Sequence, residues 1–447
     1  MIPPRANDIT VRTQVDLSNS TGKPLYLILI ATKPCYIKLA SLILALEEKQ
    51  VPYLAIDTGQ HFEKDLVNAR EELRYEQLVS IYLHVRGGMM ERTGDLAEKV
   101  NWLGTLLRNM GLRMPAIPVV SGDTYTAGMF PLLWYLKTSI RSIHVEAGLR
   151  SYSPFHHLDA GAAYRDYIDL QRHSCEWRSV RDDPFPEGID TRLATLCSQL
   201  YLAPVAFNEQ RLLEEGVPGS DIKIVGSLSA DAVALIRREH IQQSIFEIYP
   251  FLSEGKWLRV DLHRRENMDG RTLLVLFEAM QQLGDSGLQI VLVLSNALSK
   301  AIQVYGLQPQ LDALQRKGNI RITPLWPLYH HVMEFLASAH CLGVYTDSGG
   351  LQEETQIMDI PCITCRFSTD RPETILQVHN NLLVPPVSAT FIYESLVHIF
   401  SNQDTLFSNH EKQLYQVAVG DRIAGILQTY VPIASRVGQD IFEAVSV

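Results

Sequence analysis

A chain of 447 residues, 46% hydrophobic and 20% charged, has the balance of a globular protein and exceeds what one hydrophobic core usually supports, so two domains are expected. A formal net charge of −10 argues against a nucleic-acid partner, and any phosphate-bearing ligand must meet local cations or backbone donors. No apolar run approaches the roughly 20 residues that span a bilayer, and the polar extension 1–23 lacks a signal-peptide core, which points to the cytoplasm and away from a membrane.

After the extension, Leu25–Ile30 form a continuous apolar run behind Pro24, followed by Ala31-Thr32-Lys33-Pro34 and by Leu39, Leu42, Ile43 and Leu46 at the spacing of one helix face. The pattern predicts strand, turn, helix. It recurs at Tyr53–Asp57, at 117–120 before Ser121-Gly122-Asp123-Thr124, and at 142–146, so the first half reads as a parallel sheet with crossover helices. The second half repeats it at 223–225, 258–262, 288–294, 320–322, 341–345 and 362–365. The fold class is therefore α/β, with two Rossmann-like doubly wound domains facing across a cleft.

The first domain is expected to span 24–226, with a hinge near Gly226, and the second 227–447, its last helical stretch, 420–429, being a candidate to pack back on the first. Residues 156–183 stand out. They hold His156, His157 and three arginines after Gln171, with little apolar periodicity beyond Tyr164, Tyr167, Ile168 and Leu170, and read as a loop with one helix inserted in the first domain. Such an insertion is either a lid over the site or a peripheral contact.

The six cysteines, Cys35, Cys175, Cys197, Cys341, Cys362 and Cys365, are scattered as buried, reduced thiols would be. Cys362-Ile363-Thr364-Cys365 has ligand-like spacing but no second pair nearby, and reads as the inside of a strand. No metal and no cofactor is expected.

Open parallel sheets bind ligands beyond the carboxyl ends of their strands, and the polar residues of this chain gather there. Thr346-Asp347-Ser348-Gly349-Gly350 follows an apolar run and precedes a helical stretch, so Ser348, Gly349 and Gly350 offer backbone N–H groups and a helix dipole to a diphosphate. Glu354, about one turn on, can accept from ribose hydroxyls. Taken alone, a Ser-Gly-Gly turn is only a turn. His263 and Arg264, after another strand, can neutralise phosphate charge, although a solvated charge run has the same form; Arg371 adds a further cation. Asp123, Glu146 and Glu187 occupy the equivalent places in the first half. Each by itself is more often a cap or a surface ion pair, and Asp123 before Thr124 has the form of an N-cap. Together, three carboxylates that repel one another point to proton transfer.

These motifs, colinear from Ala31 to Glu373, resemble the UDP-N-acetylglucosamine 2-epimerase family, which has the GT-B-like two-domain fold. The resemblance runs through Thr32-Lys33-Pro34 with Lys38, Gln60-His61, Gly122-Asp123-Thr124, His144-Val145-Glu146-Ala147-Gly148-Leu149-Arg150, Pro186-Glu187, His263-Arg264-Arg265-Glu266, the stretch 347–354 and Arg371-Pro372-Glu373. It implies that Asp123, Glu146 and Glu187 are the acid–base carboxylates, that His263 and Arg371 lie at the diphosphate, and that Lys33 and Lys38 belong to the site. It further implies a UDP-sugar substrate, a homodimer, and an effector segment at Gln60-His61. The implied chemistry is anti elimination of UDP to 2-acetamidoglucal, then re-addition with the C2 proton delivered to the opposite face.

The chain departs from the family in places. Where the family reads Pro-Glu-Glu-x-Asn-Arg, this chain reads Pro186-Glu187-Gly188-Ile189-Asp190-Thr191-Arg192; a family arginine is Lys33, its acidic neighbour is Cys35, and a family histidine is Ser295 or Asn296. Three other outcomes are therefore compatible with the residues: a hydrolysing relative that releases N-acetylmannosamine and UDP, a non-catalytic nucleotide-sugar binder, and a glycosyltransferase on the same fold.

Overall fold

The structure, a computed structural model, describes residues 2–59, 78–154, 158, 161–173, 176–180, 186–237, 243–407 and 413–432. Gln60, His61, His156, His157 and Cys175 lie outside the described residues, as does the side chain of Lys33. The chain forms two units, one of Met1–Leu149, Pro184–Asp231 and Val417–Val447, the other of Arg150–Asp183 and Ala232–Gln416.

In the first unit β1 (Arg5–Ala6), β2 (Leu25–Ile30), β3 (Tyr53–Asp57), β4 (Val79–Tyr82), β5 (Ala116–Ser121) and β6 (Ser142–Val145) come in succession. An excursion then carries β7 (Tyr152–Pro154) and β8 (Trp177–Ser179) into the other unit, before β9 (Ser198–Ala203) and β10 (Ile222–Ile224) complete the sheet. Its order is β1-β4-β3-β2-β5-β6-β9-β10, parallel throughout except for β1 against β4. Every residue of β2 is buried, as an apolar strand covered on both faces must be.

The second unit holds β11 (Trp257–Leu262), β12 (Gln289–Leu294), β13 (Ile320–Pro324), β14 (Cys341–Thr346), β15 (Cys362–Thr364) and β16 (Asn381–Leu383), all parallel, in the order β13-β12-β11-β14-β15-β16. Both sheets thus contain the doubly wound order in which the third, second and first strands are followed by the fourth, fifth and sixth. The winding reverses between β2 and β5 in one unit and between β11 and β14 in the other. Ligands of such sheets sit beyond the strand ends at those two places.

Cys362 and Cys365 are fully buried, the first inside β15, and burial pushes the Cys362 thiol up to about 12. This is the chemistry of a packed strand.

Two domain boundaries need correction. The extension 1–23 belongs to the first unit rather than standing before it. β1 pairs with β4, and the helix Asp8–Thr21, capped by Asn7 and closed by Gly22 at φ 66°, puts Val11 and Val15 into the core. Only one narrow stripe of that helix is apolar, which is why its composition reads as a leader.

The insertion, in turn, belongs to the second unit rather than the first. β7 and β8 pair antiparallel, Tyr152 exchanges backbone hydrogen bonds with Thr369 at 2.8 Å, and the helix Tyr164–His173 buries Tyr167 and Ile168 in the second core. Gln171, fully buried, does more: its Oε1 accepts from Leu383 N at 2.7 Å and its Nε2 donates to Leu383 O at 3.0 Å. The side-chain amide thereby satisfies the edge of β16, which would otherwise expose an unpaired ladder.

The helix Val419–Thr429 lies in the first unit, against the helix Lys33–Glu48. Asp231 accepts from Val419 N at 3.1 Å and Gly420 N at 2.7 Å, and Tyr26 donates to Leu427 O at 2.8 Å. A Cβ on Gly420 would stand 2.5 Å from the carbonyl carbon of Ser41. Gly420→Ala should therefore force the two helices apart and cost about 1–3 kcal/mol, read as a drop in Tm without loss of secondary structure by circular dichroism.

Candidate active site

Each unit brings its own set of polar groups to its switch point. In the first, Glu146 follows β6 with φ 60°, a left-handed conformation that a glutamate adopts only where its surroundings impose it. Gly122, after β5, makes room. Its φ is 71°, and a Cβ there would lie 2.9 Å from Glu146 Oε2. The carboxylate, 4% exposed, then meets Lys38 Nζ at 2.6 Å, a charge-assisted bond from the helix that follows β2. The ends of β2, β5 and β6 are tied together at that contact. Cys35, one turn before Lys38, is buried, and burial raises its thiol pKa, so it stands there as a small apolar group.

Asp123 does not cap the next helix. Thr124 is the N-cap of Tyr125–Thr138, accepting from Ala127 N at 3.2 Å, which leaves the half-buried Asp123 carboxylate for other work. Glu187, also half-buried, opens the helix Glu187–Leu196. Between these acids lies a residue the sequence reading assigned no role. Asp190 is 3% exposed and pushed up to about 7, first by burial and then by the charges of Glu187 and Asp123. Its Oδ2 has no hydrogen-bond partner. Gly128 packs closely on it, since a Cβ there would stand 2.8 Å from Asp190 Cα. The shift places Asp123, Glu187 and Asp190 in one electrostatic neighbourhood, which spacing along the chain could not reveal.

In the second unit, β14 ends at Thr346 and Ser348 caps the helix Gly349–Ile357, its hydroxyl accepting from Leu351 N at 3.3 Å. The amides of Gly349 and Gly350 open that helix, where N–H groups have no intrahelical acceptor. Asp347, fully buried, accepts from His263 N at 3.0 Å, Arg264 N at 3.1 Å and Asn267 Nδ2 at 2.9 Å. It binds the end of β11 to the end of β14. Arg264 donates to Asp347 O at 2.9 Å, and its Nη2 lies 3.7 Å from where a Gly349 Cβ would be. His263, Arg264, Ser348, Gly349 and Gly350 are thus one cluster. Glu354 lies further along the helix, accepting from Tyr329 Oη at 2.9 Å.

Arg371 is placed differently from a surface cation. Its side chain is 5% exposed, Nε donates to Glu353, and Nη1 meets Asp370 Oδ2 at 3.0 Å. Asp370 also sits 3.1 Å from Arg366 Nη1, and the charges of Arg371, Arg366 and Arg264 outweigh its burial and hold its carboxyl well below the usual range. Arg371 is woven into the floor under the cluster. Among the described residues, no group of three or more His, Cys, Asp or Glu is arranged to hold a metal ion.

The family model of UDP-N-acetylglucosamine 2-epimerase matches residues 160–428. The UDP-N-acetylglucosamine 2-epimerase of Methanocaldococcus jannaschii is 27% identical over 375 residues, covering 80% of this chain and 87% of that one. That of Methanococcus maripaludis is 27% identical over 368 residues, covering 80% and 86%. Among solved structures, the Methanocaldococcus jannaschii enzyme in complex with UDP-GlcNAc and UDP is similar at a TM-score of 0.67 and 25% identity, over 91% of this chain and 99% of that one. The Neisseria meningitidis enzyme bound to UDP-GlcNAc reaches a TM-score of 0.73 at 21% identity, over 91% and 100%, a likeness of fold. With more than half its length inside the family model, and with a fold of the same GT-B-like class, the chain belongs to the UDP-N-acetylglucosamine 2-epimerase family of isomerases.

Proposed function

We propose that the chain interconverts UDP-N-acetylglucosamine and UDP-N-acetylmannosamine in the cytoplasm, working as a homodimer. The observation that carries the reading is that each unit holds a polar cluster at its own switch point, a diphosphate-type cluster in the second and an acid cluster in the first. The UDP is assigned to His263, Arg264, Ser348, Gly349 and Gly350, with Glu354 on the ribose and Arg371 supporting the phosphate floor through Glu353 and Asp370. Asp123, Glu146 and Glu187 are assigned to the sugar's protons, and Lys33 and Lys38 to the same site.

The chemistry follows from the substrate. The C2 hydrogen is not next to a carbonyl and resists direct abstraction, so the anomeric C–O bond must break first. Positive charge then builds on the ring, carboxylates stabilise it, and one of them takes the C2 proton to give 2-acetamidoglucal and UDP. Fixed amides and cations hold the UDP in place. Re-addition reverses the step with the proton delivered from the opposite face, which calls for two acids on opposite sides of the ring. The described cysteines are free thiols and no described helix is long and apolar enough to cross a membrane, both in keeping with a cytoplasmic setting.

Incubation with UDP-N-acetylglucosamine in heavy water, followed by NMR, tests the reading. Deuterium at C2 in a UDP-linked product is expected. Free N-acetylmannosamine would make the protein a hydrolase, and UDP binding without exchange would make it a binding module.

A further inference from the structure

His263 sits beside a buried ion pair that the family motif does not account for. Arg259 and Asp261 lie on β11, two residues apart and so on the same face, which also leads to His263. Arg259 is 1% exposed. Its Nη2 donates to Asp261 Oδ2 at 2.6 Å, while its guanidinium carbon lies over the Trp326 ring, 4.1 Å from the centroid. Its Nε and Nη1 have no hydrogen-bond partner. An arginine buried with two unsatisfied nitrogens is costly to the fold, and packing alone would be served better by an apolar side chain. The charge must be there for Asp261.

Asp261, in turn, reaches the imidazole. Its Oδ1 is 3.8 Å from His263 Nδ1, and Asp347 Oδ1 is 3.4 Å from the same nitrogen. With Nδ1 turned to two carboxylates, Nε2 is the ring atom left to face outward, and 43% of the side chain is exposed. The backbone of His263 is independently fixed by its own N–H to Asp347.

We propose that Arg259 and Asp261 are positioning residues for the reaction, a buried relay that fixes the His263 ring and favours its doubly protonated form, whose Nε2–H meets the diphosphate of the leaving UDP. The proposal rests on the assignment of UDP to this cluster. Carboxylates only accept, so Asp261 and Asp347 draw a proton to Nδ1; the neutral ring then has a bare Nε2, and Nε2–H is present only when the ring is charged. The groups that face the ring pull in the same sense on balance. Burial opposes its charge, the hydrogen bond to Asp261 and the charges of Asp347 and Asp261 outweigh burial, and Arg264 takes a little back, leaving His263 above the ordinary histidine range. Asp261 itself is held well below the usual carboxylate range, burial being overcome by Arg259 and His263. It therefore keeps its charge through the neutral pH range.

The test is a pH titration of the His263 ring in the full chain by imidazole NMR, with His263→Gln to assign the signal, alongside calorimetric titration with UDP. Asp261→Asn should lower the His263 midpoint by about one unit or more and let both tautomers appear. UDP affinity at pH 8 should fall about tenfold, with little change at pH 5.5, where the ring is charged in either protein. Should Asp261→Asn fail to fold with Arg259 left unpaired, Arg259→Met combined with Asp261→Asn removes both charges and keeps the volume. An unchanged midpoint and tautomer in either variant would overturn the relay. Wild-type protein that shows the raised midpoint but does not bind UDP would overturn the assignment of the ligand instead.

Discussion

Glu146→Gln is expected to abolish most of the epimerase activity, lowering kcat by roughly 10²–10⁴-fold, while UDP binding changes by less than about threefold. The amide keeps the shape of the carboxylate and can still accept from Lys38, so the turn at φ 60° and its packing on Gly122 should survive. What is lost is the ability to take and return a proton, together with the full charge that stabilises an oxocarbenium-like ring. Steady-state turnover gives the first number and calorimetry with UDP the second.

Lys38→Met provides the counterpart. It leaves the carboxylate but removes the ammonium 2.6 Å from it, in a pair whose side chains are 11% and 5% exposed. Removing one partner of so enclosed a pair strands the other, so this variant should lose stability as well as rate. Glu146→Gln, which keeps a hydrogen-bond acceptor for the ammonium, should lose rate above all and less stability than Lys38→Met. If Glu146→Gln turned over at close to the wild-type rate, the acid–base assignment in the first unit would be wrong, whatever became of UDP binding.

The sequence discloses the frame of both sheets because the strands that flank the switch points, β2, β5, β11 and β14, are apolar runs ending in clustered polar residues. That is a local signal, and the residues that carry it are those proposed for the site: Glu146, His263, Arg264 and Ser348 to Gly350 all stand one to four residues beyond a strand end. Strands at the rim are harder to read. β9 starts Ser198-Gln199 and β16 starts with Asn381, polar residues that are buried because a neighbour satisfies them: Ser198 Oγ pairs with Ser142 Oγ at 2.9 Å, and Asn381 Nδ2 donates to Gln352 at 3.0 Å. Such partners are distant in sequence, so no window can find them.

The same limit explains the insertion. Tyr167, Ile168 and Gln171 look like sparse apolar punctuation in a polar loop, yet they dock on the second core and cap Leu383, a contact 212 residues away. Arg371 is another case. Its motif places it beyond a strand end, where a cation facing phosphate is the natural reading, but the buried acids Glu353 and Asp370 claim its guanidinium. Neither acid is distinguishable in sequence from a surface charge.

The most testable of these hidden groups is Asp190, and its effect should be on stability against pH. Counted from Pro186, it stands where the family pattern carries asparagine. An unfolded aspartate titrates near 3.8, whereas in the fold Asp190 is pushed up to about 7 by burial, Glu187 and Asp123. Below the lower value both states hold the proton and the residue is neutral to stability. Between the two, the unfolded chain ionises while the folded one stays protonated, so stability falls as pH rises; above about 7 the cost is complete. Asp190→Asn removes the titration while keeping the size demanded by Gly128. The variant's advantage over wild type should grow by about 3 kcal/mol from pH 4.5 to pH 8, a Tm difference of several degrees that opens through the acidic range and levels off above about 7. Equal gains at both pH values would mean that packing, not charge, sets the difference, and no gain at pH 8 would mean that Asp190 is ionised at little cost beside Glu187 and Asp123.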